Sequence, residues 1–193
     1  MYHSLKKTNI MKTTLTVIFL SLATFGFAQD KYFTRNGTIT FFSSTPAEDI
    51  QAQNFGVTSV LDIKSGDMEF SLLMKSFEFK KALMQEHFNE NYVESDKFPK
   101  ASFKGKVRDI SSIDFSKDGT HQVKVSGDMT LHGVTKPVTS DGTIEIKDGK
   151  VHANSKLMIK PEDYGIEIPS VVRANIAKEM EVTVNITLDP LKR

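Results

Sequence analysis

Through most of this chain apolar and polar residues alternate with the period of a β-strand. Gly37, Ile39 and Phe41 alternate with Thr38 and Thr40, and residues 46–50 then interrupt the pattern with a turn or a single helical turn. Residues 55–63 and 68–74 form two further apolar-polar runs around Lys64, Ser65, Gly66 and Asp67, a sequence suited to a hairpin turn. Ala101, Phe103, Gly105 and Val107 share one parity, as do Val123, Val125, Gly127, Met129 and Leu131. Val151, Ala153, Ser155, Leu157 and Ile159 repeat the pattern, and the cleanest strand closes the chain, with Met180, Val182, Val184, Ile186 and Leu188 opposite Glu181, Thr183, Asn185, Thr187 and Asp189. The runs Lys117-Asp118-Gly119, Ser140-Asp141-Gly142 and Lys147-Asp148-Gly149 predict three turns, each with glycine at a position of positive φ.

The period changes most decisively in the middle of the chain. Met84, Phe88 and Tyr92 recur at four-residue spacing with Leu83 and His87 beside them, which predicts a helix over residues 81–92. Pro99 biases Phe98 to extended geometry and ends any helix upstream of it. A second short helix is predicted after Pro169, with Ser170 as its cap and Val172 four residues before Ile176.

About eight strands with one apolar face each describe a sheet with one dry side, which must pair with another sheet or close on itself. An eight-stranded barrel has an interior that side chains fill or that holds one small ligand. The expected fold is therefore all-β, an antiparallel eight-stranded barrel with one or two short helices. Every second residue of a strand points inward, and the inward set is bulky and apolar: Met68, Phe70, Leu72 and Met74, then Phe103 and Val107, then Met129 and Leu131, then Val182, Val184 and Ile186. Alternation alone leaves a filled core and a ligand cavity equally open.

The amino terminus has a different composition. Lys6, Lys7 and Lys12 precede an apolar run from Leu15 to Phe27, and Gly26-Phe27-Ala28 supplies small residues at the two positions a signal peptidase reads. Residues 1–28 are expected to be a secretory signal, with translation starting at Met1 or Met11 and the mature domain spanning 29–193 in the periplasm or the medium. The run is shorter than the roughly 20 apolar residues of a spanning helix, and Ser21 and Thr24 interrupt it. Cleavage removes three of 25 basic residues and none of 24 acidic ones, leaving a net charge of −2. So small a charge, with no basic block, gives no field for nucleic acid. The chain has no cysteine, hence no disulfide framework and no thiol chemistry.

Residues that could carry catalysis are sparse. His87, His121, His132 and His152 are scattered without a metal-ligand spacing, so no metal site is expected. His121 and His132 read as solvent-facing strand ends and His87 as a boundary residue of the helix. Glu86 and His87 are neighbours on a helix and point about 100° apart, which does not make an acid/base pair. Asp114 to Asp118 lacks the ligand spacing of a calcium loop. No nucleophile elbow and no phosphate-cradling glycine loop is present. The expectation is a non-enzyme without cofactor.

Three runs resemble one family of exported proteins: Leu83-Met84 followed by His87-Phe88; Lys97-Phe98-Pro99-Lys100-Ala101-Ser102-Phe103; and residues 127–138, Gly-Asp-Met-Thr-Leu-His-Gly-Val-Thr-Lys-Pro-Val, with residues 163–166 adding Asp-Tyr-Gly-Ile. They are similar to the YceI-like family of polyisoprenoid-binding or lipid-binding proteins. The resemblance implies a lipocalin-like barrel around an apolar tunnel for a polyisoprenoid, an isoprenoid quinone or a similar long-chain amphiphile, and no catalytic residues. It turns the inward set above into an expected cavity wall, to which Phe79, Met84 and Phe88 of the helical region are added at the mouth. Expected partners are the lipid itself and, transiently, a membrane, with the protein a monomer or homodimer. Two rival classes share the strand pattern. A small outer-membrane barrel would hide a polar lumen behind an apolar exterior, although zero Trp and four Tyr supply no interfacial girdle. An enzyme using the barrel as its pocket would need a reactive residue set.

Overall fold

A computed structural model describes residues 30–191, which leaves the signal-like segment 1–28 outside the described residues. Eight long strands close into an antiparallel barrel: β1 (Lys31–Ser44), β2 (Asp49–Asp62), β3 (Asp67–Leu73), β5 (Lys100–Val107), β6 (Gly119–Leu131), β7 (Val134–Lys147), β8 (Lys150–Ile159) and β9 (Met180–Pro190). Each pairs with its neighbour in chain order, and β1 closes the ring by pairing with β2 on one side and β9 on the other. A two-residue strand, β4 (Glu78–Phe79), is the ninth. It extends the edge of β2 through Ala52↔Phe79, above the point where β3 ends.

The barrel faces divide as the alternation requires. Ile39, Phe41, Met68, Leu72, Phe103, Val107, Ile144, Val184 and Ile186 are buried inside. The outer face carries ion pairs between adjacent strands, including Lys104–Glu69, Lys106–Asp67, Lys156–Glu181 and Lys150–Asp189. That exterior is the reverse of the apolar band an outer-membrane barrel presents to lipid.

Tight approach of β5 and β6 depends on facing glycines. Gly105 pairs with Gly127, and a Cβ on Gly127 would lie 2.3 Å from the Lys104 carbonyl oxygen. Phe103 lies over the vacant face of Gly105 and stacks on Phe70 with centroids 4.8 Å apart.

The helix is shorter and wider than its four-residue spacing predicts. Helix α1 (Ala82–His87) opens into a π-helical turn, Phe88–Tyr92, in which the Val93 N–H donates to the Phe88 carbonyl at 2.9 Å. Asn89 supports the widened turn by donating from Nδ2 to the Gln85 carbonyl at 2.8 Å. The second predicted helix is a 3-10 turn, Ser170–Asn175, and Ser170 does not cap it.

Three local expectations need correction. Ser140-Asp141-Gly142 is not a turn: β7 runs straight through it, and Gly142 pairs with Val123 on one side and Ser155 on the other. Its glycine answers a close approach, because a Cβ there would sit 2.6 Å from the Asn154 carbonyl oxygen. Of the three predicted turn glycines only Gly149 has positive φ, following Asp148 in the same conformation as the β7–β8 hairpin requires. His132 is not a solvent-facing strand end. Its side chain is 10% exposed, with Nε2 2.9 Å from Glu94 Oε2, Nδ1 3.1 Å from the Tyr164 carbonyl oxygen, and Phe98 edge-on to its ring.

Candidate ligand cavity

One half of the barrel is filled and the other is hollow. At the filled end Leu61, Ile146, Val151 and Leu188 form a layer with no more than 2% exposure, and Tyr32 and Ile110 pack with it. Above that floor a cavity of about 350 Å³ opens, at the lower end of the range for sites that take small organic molecules. Its wall is almost wholly hydrocarbon.

All fourteen positions picked out by parity and by the helix lie on that wall. Met68, Phe70 and Leu72 come from β3, Met74 from the 3-10 turn that follows it, and Phe79 from β4. Met84 is on α1 and Phe88 on the π-turn; Phe103 and Val107 are on β5, Met129 and Leu131 on β6, and Val182, Val184 and Ile186 on β9. The helical segment is therefore part of the wall, turning Met84, Phe88 and Tyr92 inward while Leu83 is 60% exposed.

Four aromatic rings fix that segment. Phe88 lies 5.5 Å from Phe41, 5.6 Å from Phe77 and 5.0 Å from Phe79, measured between centroids. Phe41 in turn meets Phe77 at 5.5 Å and Phe79 at 5.7 Å. Such pairs contribute about 0.5–1.5 kcal/mol each beyond their buried area, which holds a helix of under two turns that could not stand alone.

Polar groups gather at the mouth. Glu48, in the β1–β2 connection, accepts from Lys81 Nζ at 2.9 Å and from Asn175 Nδ2 at 3.3 Å, joining the start of the helical segment to the 3-10 turn before β9. The Lys81 hydrogen bond, then that of Asn175, holds the Glu48 carboxyl below the usual carboxylate range. Ser43 adds a second tie, accepting from the Ala177 N–H at 2.9 Å. Tyr92 is on the wall, and burial pushes its phenol up.

Other wall residues lie outside the fourteen. Ile39 and Phe41 keep on β1 the alternation read from Gly37 onward, while the register shifts between Thr34 and Ile39 put buried Tyr32 on the opposite parity. In β2 the inward set switches from Ala52 and Asn54 to Val57, Ser59 and Leu61, leaving Phe55 49% exposed. Fully buried Asn54 stitches the irregularity, accepting from the Gly56 N–H and donating to the Leu73 carbonyl, both at 2.9 Å. Ile166, Ile168 and Ile176 complete the wall from irregular chain. Among the described residues no group of three or more His, Asp or Glu side chains comes within reach of a common metal ion.

A closed antiparallel barrel with a packed floor, an apolar hollow and a helical segment at its mouth defines a class of single-ligand barrel proteins. The chain belongs to the YceI-like family, whose domain it matches over residues 19–188. Similar solved structures include a polyisoprenoid binding domain from Saccharophagus degradans implicated in plant cell wall breakdown, at 14% identity and TM-score 0.74, covering 84% of this chain and 99% of that one. Burkholderia cenocepacia BcnA follows at 13% identity and TM-score 0.66, covering 79% and 95% of the two chains. The Campylobacter jejuni YCEI protein shares 17% identity at TM-score 0.57, covering 74% and 85%. At these identities the likeness is one of fold. Comparison with curated proteins gives no significant match.

Proposed function

We propose that this protein is an exported, water-soluble carrier or sensor that holds a polyisoprenoid, an isoprenoid quinone or a similar long-chain amphiphile inside its barrel. The observation that carries this reading is the apolar hollow above a packed floor: a protein needing only a core would fill it, because a void forfeits dispersion contacts on all its walls. The polyisoprenoid-binding domain of Saccharophagus degradans has the same fold, which supports an isoprenoid chain as the occupant. Burying about 400 Å² of ligand hydrocarbon at about 25 cal/mol per Å² gives about 10 kcal/mol before ordering costs, enough for micromolar binding. The charged exterior supports a water-soluble state, and the signal-like residues 1–28 support export.

Titration of purified protein with prenyl lipids and quinones tests the ligand class. Saturable binding at micromolar concentration is expected, lost when Leu131 is replaced by Glu in a variant that still melts cooperatively. Absence of uptake by the unaltered protein would overturn the proposal. Export has its own test in N-terminal sequencing from the native host: Gln29 is the expected first residue, and an intact Met1 or Met11 contradicts it.

A further inference from the structure

Two flaps border the mouth of the cavity, and two side chains hold both of them. The first flap runs from Lys81 to Glu94 through α1 and the π-turn; the second runs from Tyr164 to Asn175. Each turns side chains onto the cavity wall, Met84, Phe88 and Tyr92 from the first and Ile166, Ile168 and Val172 from the second. The packed layer of Leu61, Ile146, Val151 and Leu188 closes the opposite end of the barrel, so a chain enters or leaves past the flaps.

The two holding side chains stand on two hairpins of the barrel. Glu48, between β1 and β2, ties the start of the first flap to the end of the second: Oε1 accepts from Lys81 Nζ at 2.9 Å and Oε2 from Asn175 Nδ2 at 3.3 Å. His132, between β6 and β7, ties the remaining two ends, with Nε2 2.9 Å from Glu94 Oε2 and Nδ1 3.1 Å from the Tyr164 carbonyl oxygen. Both ends of each flap are therefore held by a side chain that also holds the other flap.

The His132 tie stores backbone strain. Glu94 and His132 have positive φ, at 42° and 51°, and among the described residues the only others besides glycine are Asp109 and Asp148. Aspartate offsets this conformation with local hydrogen bonds, but the Glu94 carboxylate reaches away to His132 instead, with Lys97 Nζ 3.7 Å from its other oxygen. Residues strained in this way persist only where their surroundings hold them. Parting Glu94 from His132 both unties the first flap and lets its last residue relax.

We propose that the two flaps form a gate, latched at Glu48 and His132, which must part for a ligand to pass and whose opening sets the rate of ligand exchange; the inference rests on the barrel being a carrier. The His132 latch is the better one to probe, because neither His132 nor Glu94 lies on the cavity wall, whereas Glu48 and Asn175 do. Loss of the Glu94 carboxylate weakens the closed state without removing a ligand contact. A gate then predicts faster entry and faster exit in equal proportion.

Stopped-flow fluorescence with a dansyl-labelled geranylgeranyl amine reads entry into the purified protein, and displacement by unlabelled geranylgeraniol reads exit. Glu94→Ala is expected to speed both about tenfold, the worth of one hydrogen bond to a charged group, with Kd unchanged. Glu94→Gln keeps an acceptor for His132 and should exchange at nearly the unaltered rate. The chain has no cysteine, so Lys81→Cys with Ala174→Cys, joined by a short bismaleimide, puts a covalent tie across the flaps at the Glu48 end. Cross-linking should slow entry and exit relative to the same protein before it is joined, and it decides alone if Glu94→Ala fails to fold. Unchanged rates in Glu94→Ala, a faster exit alone with weakened affinity, or exchange undiminished by the cross-link would overturn the gate while leaving the carrier reading intact. Failure of the unaltered protein to take up the probe would overturn both.

Discussion

Filling the hollow should stabilise the protein and abolish binding at the same time. Ala153 is the position for this perturbation: it lies on β8 between Ile144 and Ile186, its methyl group faces the cavity, and it stands just above the floor residue Val151. Ala153→Phe would place a ring in space now empty, removing about 150 Å² of apolar surface from the cavity. At about 25 cal/mol per Å² the gross gain is about 4 kcal/mol, and rotamer restriction and imperfect fit reduce it to about 1–3 kcal/mol. For a chain of this size that corresponds to a rise in Tm of about 2–10 °C. A prenyl ligand loses a comparable area, so its affinity should fall by about a thousandfold. Differential scanning calorimetry of delipidated protein and a binding titration read the two effects separately. In a barrel whose upper half is packed by side chains, the same substitution overpacks and costs about 1–3 kcal/mol. A lowered Tm with unchanged ligand uptake would refute the hollow and the reasoning built on it.

Other substitutions probe the frame around the cavity. Gly127→Ala brings a Cβ within 2.4 Å of the Gly105 Cα and forces β5 from β6, so a loss of about 3 kcal/mol is expected in urea denaturation, against no measurable change for Gly119→Ala, where nothing lies closer than 3.5 Å. His132→Ala removes the clasp between Glu94 and the Tyr164 carbonyl and should cost about 1–3 kcal/mol, with proteolysis appearing first around residues 94–98; unchanged stability would mean that the clasp is ornamental. The lowered Glu48 pKa means that its tie contributes stability above the unfolded-state value near 4.5 and loses it as pH falls through the folded value. The Glu48 carboxyl resonance should therefore titrate below 4.5 and carry the amide shifts of Lys81 and Asn175 with it, and an unshifted midpoint would contradict the bridge at the mouth.

Which parts of the barrel were legible follows from what alternation encodes. In β3, β5, β6 and β9 the pattern runs unbroken, so inward parity places Met68, Phe103, Met129 and Val184 on the wall from residue type alone. The same rule fails at the irregularities of β1 and β2: the bulge near Gly37 puts Tyr32 and Ile39 on opposite parities, and the switch near Phe55 leaves Phe55 outside and buries Asn54. Four-residue spacing identified Met84, Phe88 and Tyr92 as one face, yet it could not announce a π-turn, since the same face spacing does not distinguish the wider hydrogen bonding at Phe88–Tyr92 from that of an α-helix. The early end of the β7–β8 ladder at Gly142 was hidden by local chemistry that imitates a turn. Ser140-Asp141-Gly142 satisfies every turn preference, while its actual cause is tertiary: the glycine admits β8, and the serine bonds a carbonyl on the neighbouring strand. His132 was misplaced for the same reason, because Glu94 and Tyr164 approach it only after the barrel has closed.

The most direct test of a ligand-holding barrel is native mass spectrometry of the protein purified from its own host, followed by organic extraction and identification of whatever is released. A one-to-one adduct that proves to be a long-chain prenyl lipid, lost in Ala153→Phe, is the predicted result. A bare polypeptide mass, together with extracts free of lipid and no uptake of added prenol or quinone, would contradict it.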